Sequence, residues 1–300
     1  MVLGLRTFGN TIIKHRAAYL FILPIFSVFV IFTLIPVIMG FRLSFLEYLP
    51  PPRESFFVGF DNFVAIFENP RWSRALLNTF TYTFFVVLGV LIIALTISML
   101  IFPLRKKMQS FFKSLYYLPG VTSLVIVVLQ WQFIFHPTFG LLNGLLEMIG
   151  LQPVFWLSNP STAMPSIIFM DIVRGDGAAI LLILAALHTI PNSVFEAAEC
   201  DGAGGVQIFW RITLPLIKPI LLYLLVMGTI NAFQVFIPIF LMTQGGPEFS
   251  TITVAHEIYS NAFMRSMRFG LAAAQGVFLF VVTMVVSIMY FKLFNEDVIY

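Results

Sequence analysis

SVFEAAECDGAGGVQIFWRITLPLIKP, residues 193–219, sits between two long apolar runs and does not read as an idle connector. Ser193 and Glu196 have capping-box spacing: the serine can cap the first turn while the glutamate reaches back to the Ser193 backbone N–H. Ala197, Ala198 and Glu199 extend that helix. Asp201-Gly202-Ala203-Gly204-Gly205 stops it, because glycine tolerates the backbone angles of a tight turn. A second short helix is expected from Val206 to Thr213, carrying Phe209 and Trp210. Leu214-Pro215 should end it, since the residue before a proline is pushed out of the helical region. The expectation is a compact helix–turn–helix held at a membrane surface.

The membrane itself follows from composition. The chain is 59% hydrophobic and 10% charged, with mean hydropathy +0.96. A soluble globular protein is about 25% charged. A chain of 300 residues has no core large enough to hide this much apolar surface, so lipid is the expected solvent. The net charge of +3 does not argue for nucleic acid, because the basic residues sit at segment ends, where they anchor and orient helices. The single cysteine, Cys200, excludes an intramolecular disulfide, and its place in the proposed cytoplasmic loop suits a reducing compartment. It reads more simply as a small structural residue than as a reactive thiol.

Working outward from the loop, the apolar runs give an all-α integral membrane fold with six spans, at about 17–41, 76–102, 114–135, 163–190, 219–242 and 269–291. Each reaches the roughly 20 residues a spanning helix needs. Residues 1–16 form a basic N-terminal segment, and 17–300 form one transmembrane domain. The first run is too long for a signal peptide, whose apolar core is about 7–15 residues. Pro24 and Pro36 should mark bends in it. In the loop after it, Asp61 can cap a short helix carrying Phe63, Val64, Ile66 and Phe67, whose aromatic content suits the lipid–water boundary. Pro103 and Arg105-Lys106-Lys107 close the second span, and Lys113 opens the third. Residues 136–162 contain no lysine or arginine.

The fourth span is apolar except for Asp171, Arg174 and Asp176. A charge at mid-bilayer costs about 2.5–3.5 kcal/mol on insertion scales, so these three must pair or meet water. Asp171 and Arg174 have helical i, i+3 spacing and can pair. Gly175 and Gly177 can interrupt the helix. Either the whole segment spans with the patch facing a wet cavity, or only Gly177–Ile190 and its flanks span. The patch then serves a central path or forms a structural ion pair at a subunit contact; both readings stay open.

Six spans put both termini on one side. On that side lie Arg6, Lys14, Arg16, Arg105, Lys106, Lys107, Lys113, Arg211, Lys218 and Lys292. The other side holds Arg42, Arg53, Arg71, Arg74, Arg265 and Arg268. Positive charge concentrates on the cytoplasmic side, which places both termini and the 191–218 loop inside. The expected location is the cytoplasmic membrane of a prokaryote. No GxxxxGK[ST] phosphate loop occurs, and no GxSxG, HExxH or CxxC motif. The four histidines show no metal-ligand spacing. The chain offers no catalytic constellation, so any energy input must come from a partner.

Glu196-Ala197-Ala198, then Asp201-Gly202-Ala203, Phe209 and Leu214-Pro215 resemble the EAA loop of binding-protein-dependent ABC importer permeases. VGFDNF at 58–63, NPRWSRALLNT at 69–79 and the Thr243-Gln244-Gly245-Gly246-Pro247 turn are similar to the sugar-permease branch, of maltose and glycerol-phosphate type. The plainer reading of the loop is an ordinary helical hairpin between membrane helices. The resemblance implies that the loop is a coupling element between the fourth and fifth spans. It docks on one of two cytoplasmic ATPase subunits, which bind the ATP and magnesium; this chain needs no cofactor of its own. It further implies a second permease subunit, by family habit a different chain, and an extracytoplasmic solute-binding protein, with a carbohydrate or related polyol as cargo. Glu196 would meet polar or basic groups on the ATPase, the small Ala197 and Ala198 would allow close approach, and Asp201 and Gly202 would set the turn. Phe209 and Trp210 serve equally well as packing against membrane helices. Sugars are held by amide hydrogen bonds and aromatic stacking, so Asn231 and Gln234 on the fifth span and Gln130, Gln132 and Trp131 on the third are candidates for the solute path, with Asp171, Arg174 and Asp176. For each polar residue, gluing helices together is the rival role. An ATPase-independent channel or membrane enzyme working through 171–176 is the alternative function.

Overall fold

The computed structural model describes residues 16–48, 55–265 and 267–294. The expected N-terminal segment, apart from the backbone of Arg16, and Arg53 lie outside these residues. The chain opens with α1 (Arg16–Phe29), a π turn (Val30–Leu34) and α2 (Ile35–Leu43). Pro24 lies inside α1 without ending it. The irregularity falls just before Pro36: the Ile35 N–H reaches back to the Val30 carbonyl, so the ladder has already left α register where proline has nothing to donate. The most apolar window of this first span buries none of its residues, as a lipid-facing helix should.

A two-residue antiparallel ribbon follows, β1 (Leu46–Glu47) against β2 (Phe56–Phe57), a small departure from an all-helical chain. Next comes α3 (Asp61–Glu68). Asp61 is not its cap: Phe60 holds that position with no side-chain bond, and Asp61 is the first helical residue, where its charge still complements the helix dipole. The second span, α4 (Pro70–Ile101), begins earlier than its apolar run suggests. Asn69 caps it by accepting from the Arg71 N–H at 3.0 Å, and Pro70 fits the first turn.

The helix α4 is the mast of the fold. Its 32 residues extend about 48 Å at 1.5 Å per residue. Trp72 and Ala75 enter one buried cluster with Ile252 and Leu271, Tyr82 and Val87 enter a second with Ile167 and Ile239, and Ala94 and Ile101 enter a third with Ile183 and Leu187. One helix therefore threads all three cores.

The third span is not one helix over 114–135. It is α5 (Lys106–Val121) and α6 (Leu124–Ile134), bent by 91° at Thr122-Ser123. After α7 (Leu141–Met148), the fourth span is also divided, into α8 (Pro160–Arg174) and α9 (Gly177–Thr189). Gly175 ends α8 with φ +66°, a conformation that suits glycine. The loop then gives α10 (Asn192–Cys200), α11 (Gly205–Ile208), a π turn (Phe209–Thr213) and α12 (Leu214–Leu216). The fifth span is α13 (Lys218–Phe233) and α14 (Ile237–Met242), parted at 234–236. It is followed by α15 (Val254–Tyr259), a π turn (Ser260–Met264) and α16 (Phe269–Phe294). Among the described residues, four helical stretches can cross a membrane by length and apolarity, or six if each sharply bent pair counts as one crossing. The bent pairs are α5 with α6 and α9 with α10.

Candidate functional site: a polar cavity and the hairpin behind it

A cavity of about 620 Å³ opens where the broken helices meet α4. The ends created by the breaks supply its polar lining. The buried Asp171 carboxylate accepts from the Tyr82 hydroxyl through one oxygen and pairs with Arg174 Nε at 3.2 Å through the other. Asp176 caps α9, accepting from the Ala178 and Ala179 N–H groups at 2.9 and 3.2 Å. Asn231 and Gln234, at the end of α13, are exposed to the same space. Both carboxylates are thus already engaged, one by a phenol and a guanidinium and the other by backbone amides.

Five of the eight residues expected along a solute path are therefore brought together: Asn231, Gln234, Asp171, Arg174 and Asp176. The three on the third span are not. Gln132 Nε2 donates to the Leu241 carbonyl at 2.6 Å and ties α6 to α14. Trp131 packs against the Phe135 and Phe169 rings, at 5.3 and 5.8 Å. Gln130 is exposed but is not part of the cavity wall. The helix α6 reaches the cavity only at its start, through Leu124. Sequence reasoning missed Tyr82, which has no signal on α4 beyond being a phenol in an apolar run.

The hairpin that joins α9 to α13 differs from the expected one in how it is held. Its first helix starts at Asn192 with Pro191 as cap residue and no side-chain bond, so the Ser193–Glu196 capping box does not form. Ser193 is already inside the helix, where its hydroxyl cannot reach forward as a cap. The helix stops as expected: the Ala203 N–H bonds the Ala198 carbonyl at 2.9 Å and the Gly202 N–H bonds the Glu199 carbonyl at 3.0 Å. Gly202, with φ +79°, is the left-handed residue of this Schellman cap. A one-way contact appears just beyond it, where Gln207 Oε1 accepts from the Gly204 N–H at 3.2 Å. Leu214-Pro215 does not end the second helix. A π turn over Phe209–Thr213 carries the chain into α12, and the break falls at Ile217.

Glu196, Ala197, Asp201, Gly202 and Pro215 are exposed on the hairpin, Ala203, Phe209 and Leu214 are half-buried, and Ala198 is buried. Trp210 is exposed, with its ring against that of Phe209 at 5.2 Å. Val194 and Phe195 fix the hairpin to the bundle by packing against the cluster of Ile101, Ile183 and Leu187. The Phe195 ring lies 6.1 Å from that of Phe102, at the end of α4.

No family model matches the chain. Whole-length relatives do. It is 34% identical over 283 residues to the probable ABC transporter permease protein YurN of Bacillus subtilis (strain 168), covering 92% of this chain and 95% of that protein. It is 30% identical over 290 residues to the trehalose/maltose transport system permease protein MalF of Thermococcus litoralis, covering 95% and 97%. The chain belongs to the permease family of ABC sugar importers. The permease also shares its fold with a chain in the crystal structure of a bacterial ABC transporter involved in the import of the acidic polysaccharide alginate. The TM-score is 0.84 at 27% identity, over 98% of the permease and all of that chain. A second structure of bacterial alginate ABC transporter, in complex with alginate pentasaccharide-bound periplasmic protein, matches with a TM-score of 0.83. The permease is therefore a membrane-spanning subunit of an ATP-driven importer. The whole-length relatives displace the alternative of an ATPase-independent channel or membrane enzyme.

Proposed function

We propose that the permease moves a carbohydrate or related polyhydroxy solute through the cavity, driven by a hairpin docked on a cytoplasmic ATPase. The observation that carries this reading is how hairpin and cavity are joined. The helix α9 runs from the cavity wall at Asp176-Gly177 to the hairpin, and α13 runs from the hairpin back to the cavity wall at Asn231. The 13 residues of α9 make a strut about 20 Å long at 1.5 Å per residue. Both connections are stiff helices, so a displacement of residues 192–216 moves two walls of the cavity together. That is rigid-body transmission through packed elements.

In this reading the six-span count holds with α5–α6 and α8–α9 as the two interrupted crossings, and both termini and the hairpin, α10 included, face the cytoplasm. Two ATPase subunits bind ATP and magnesium, a second permease chain supplies the other hairpin, and a solute-binding protein loads the cavity from outside. The exposed Glu196, the small Ala197 and the Gly202 turn form the docking surface. Asn231 and Gln234 offer amide donors and acceptors to solute hydroxyls.

Two experiments test the two halves. Glu196→Arg reverses a charge at the docking surface and should strip the ATPase subunits during copurification and cut uptake at least about tenfold, the scale expected for breaking a charged interface pair. Undiminished association and uptake would refute the coupling role. Replacing Asn231 and Gln234 together by alanine removes two hydrogen-bonding side chains, each contributing about 1 kcal/mol. Uptake should fall about tenfold or more at low solute concentration while assembly is unchanged. Transport at the parental rate would take both residues out of the path.

A further inference from the structure

We infer that α7 is a membrane-interface anchor, lying in the boundary layer of the leaflet opposite the hairpin. The helix has two apolar faces where a helix in water would have one. Leu142 packs inward on the cluster that contains Phe135, and Asn143 is buried. The opposite face shows Leu141, Leu145 and Met148, which are 64%, 51% and 84% exposed. These three share one side of a helix by their i, i+4 and i+7 spacing. Ile149, Leu151 and Phe155 extend the exposed surface beyond the helix. Glu147, the only charged residue of the segment, points away from it by the same periodicity.

This surface is held out, not left loose. Asn143 is a four-way tie: its Nδ2 donates to the Pro137 and Val154 carbonyls at 2.9 and 3.0 Å. Its Oδ1 accepts from the Val154 N–H at 3.0 Å and from Trp156 Nε1 at 2.9 Å. A satisfied buried amide of this kind specifies one geometry, so the outward aim of Leu141, Leu145 and Met148 belongs to the fold.

Continuity decides what covers it. Val125, Ile126, Leu129 and Phe133 form the exposed apolar stripe of α6. Phe139 bridges that stripe to the start of α7, its ring 6.3 Å from Phe133 and stacked at 3.3 Å on His136. Exposed apolar side chains therefore continue from a spanning helix, through Phe139, onto α7. No lysine or arginine occurs between Ser114 and Val173, so burial of apolar side chains, and not attraction to acidic headgroups, would hold the helix in place. The polar side chains exposed at its margins, Thr138, Glu147 and Gln152, are of the kind an interfacial helix presents to water.

The inference rests on the spanning arrangement proposed above but not on the coupling role, since lipid contact and ATPase association are read separately. The test uses the assembled transporter, with its ATPase subunits, in phosphatidylcholine vesicles. In a chain carrying Cys200→Ser, Met148→Cys receives an environment-sensitive nitrobenzoxadiazole label, with Glu147→Cys as the comparison on the other side of the helix. The Met148→Cys label should emit to the blue, and a phosphatidylcholine bearing a shallow doxyl quencher should quench it at least about twofold more than the Glu147→Cys label. Aqueous iodide should do the reverse. Equal iodide quenching at both positions with no effect of the doxyl lipid would overturn the anchor. So would a Met148→Cys label that turns blue only when the solute-binding protein is added, which would make α7 a docking face for that protein. Leu145→Cys, on the same face, carries the test if Met148→Cys does not assemble.

Discussion

Asp171→Ala should lower the thermal midpoint of the detergent-solubilised permease by about 6–12 °C, from a loss of about 3 kcal/mol. Asp171 is buried and ties α4 to α8 through the Tyr82 hydroxyl, 89 residues away in sequence, and it neutralises Arg174 at 3.2 Å. Removing one partner of a buried ion pair costs about 3–5 kcal/mol, because the other charge is stranded. The Arg174 side chain is 36% exposed to the cavity, so water takes up part of the loss and the lower end of that range applies. Asp171→Asn retains an acceptor for the Tyr82 hydroxyl and should lose less. A midpoint within about 1 °C of the parent for Asp171→Ala would show that the cluster does not hold the cavity wall together.

Gly177→Val should be at least as damaging, for a steric reason. A Cβ built on Gly177 would lie 2.3 Å from the Tyr116 carbonyl oxygen and 2.8 Å from the Tyr117 Cα. Both are backbone atoms and cannot swing aside, so α5 and α9 must separate. Overpacking costs about 1–3 kcal/mol where side chains can adjust, and here they cannot. Gly177→Ala should already lower the midpoint, and valine should lower it further. The contrast is Gly144→Ala in α7: nothing lies within 4 Å of its Cβ position. That change should be neutral or stabilising by about 0.5–1 kcal/mol through helix propensity. Equal effects at Gly144 and Gly177 would mean that the close crossing of α5 and α9 contributes nothing.

The features legible in the sequence share a physical origin. Turns are local, so Asp201-Gly202 announced the stop of the first hairpin helix, and the structure adds only that Gly202 is the left-handed residue. The Asp171–Arg174 pair was readable because i, i+3 neighbours meet on any helix. Ser193 failed as a cap because Pro191, two residues earlier, already sets an extended backbone at the start of the helix. The solute-path candidates divided on the same principle. Asn231 and Gln234 are near neighbours on one helix end and reach the cavity together, whereas Gln132 is claimed by a carbonyl 109 residues away.

By itself, the amino-acid order determined the solvent, the apolar runs, the hairpin and the family, since hydropathy, turn chemistry and short motifs are properties of neighbouring residues. Only the tertiary structure decided where those runs break. An unbroken apolar stretch such as 114–135 satisfies lipid equally well straight or bent, so nothing in it marks the 91° turn at Thr122-Ser123. That turn is compensated by distant contacts, chiefly α6 against α14 through Gln132 and Leu241. The same holds for the meeting of Tyr82 with Asp171. A buried phenol and a buried carboxylate find each other only when two helices far apart in sequence pack side by side, and that encounter forms the cavity wall.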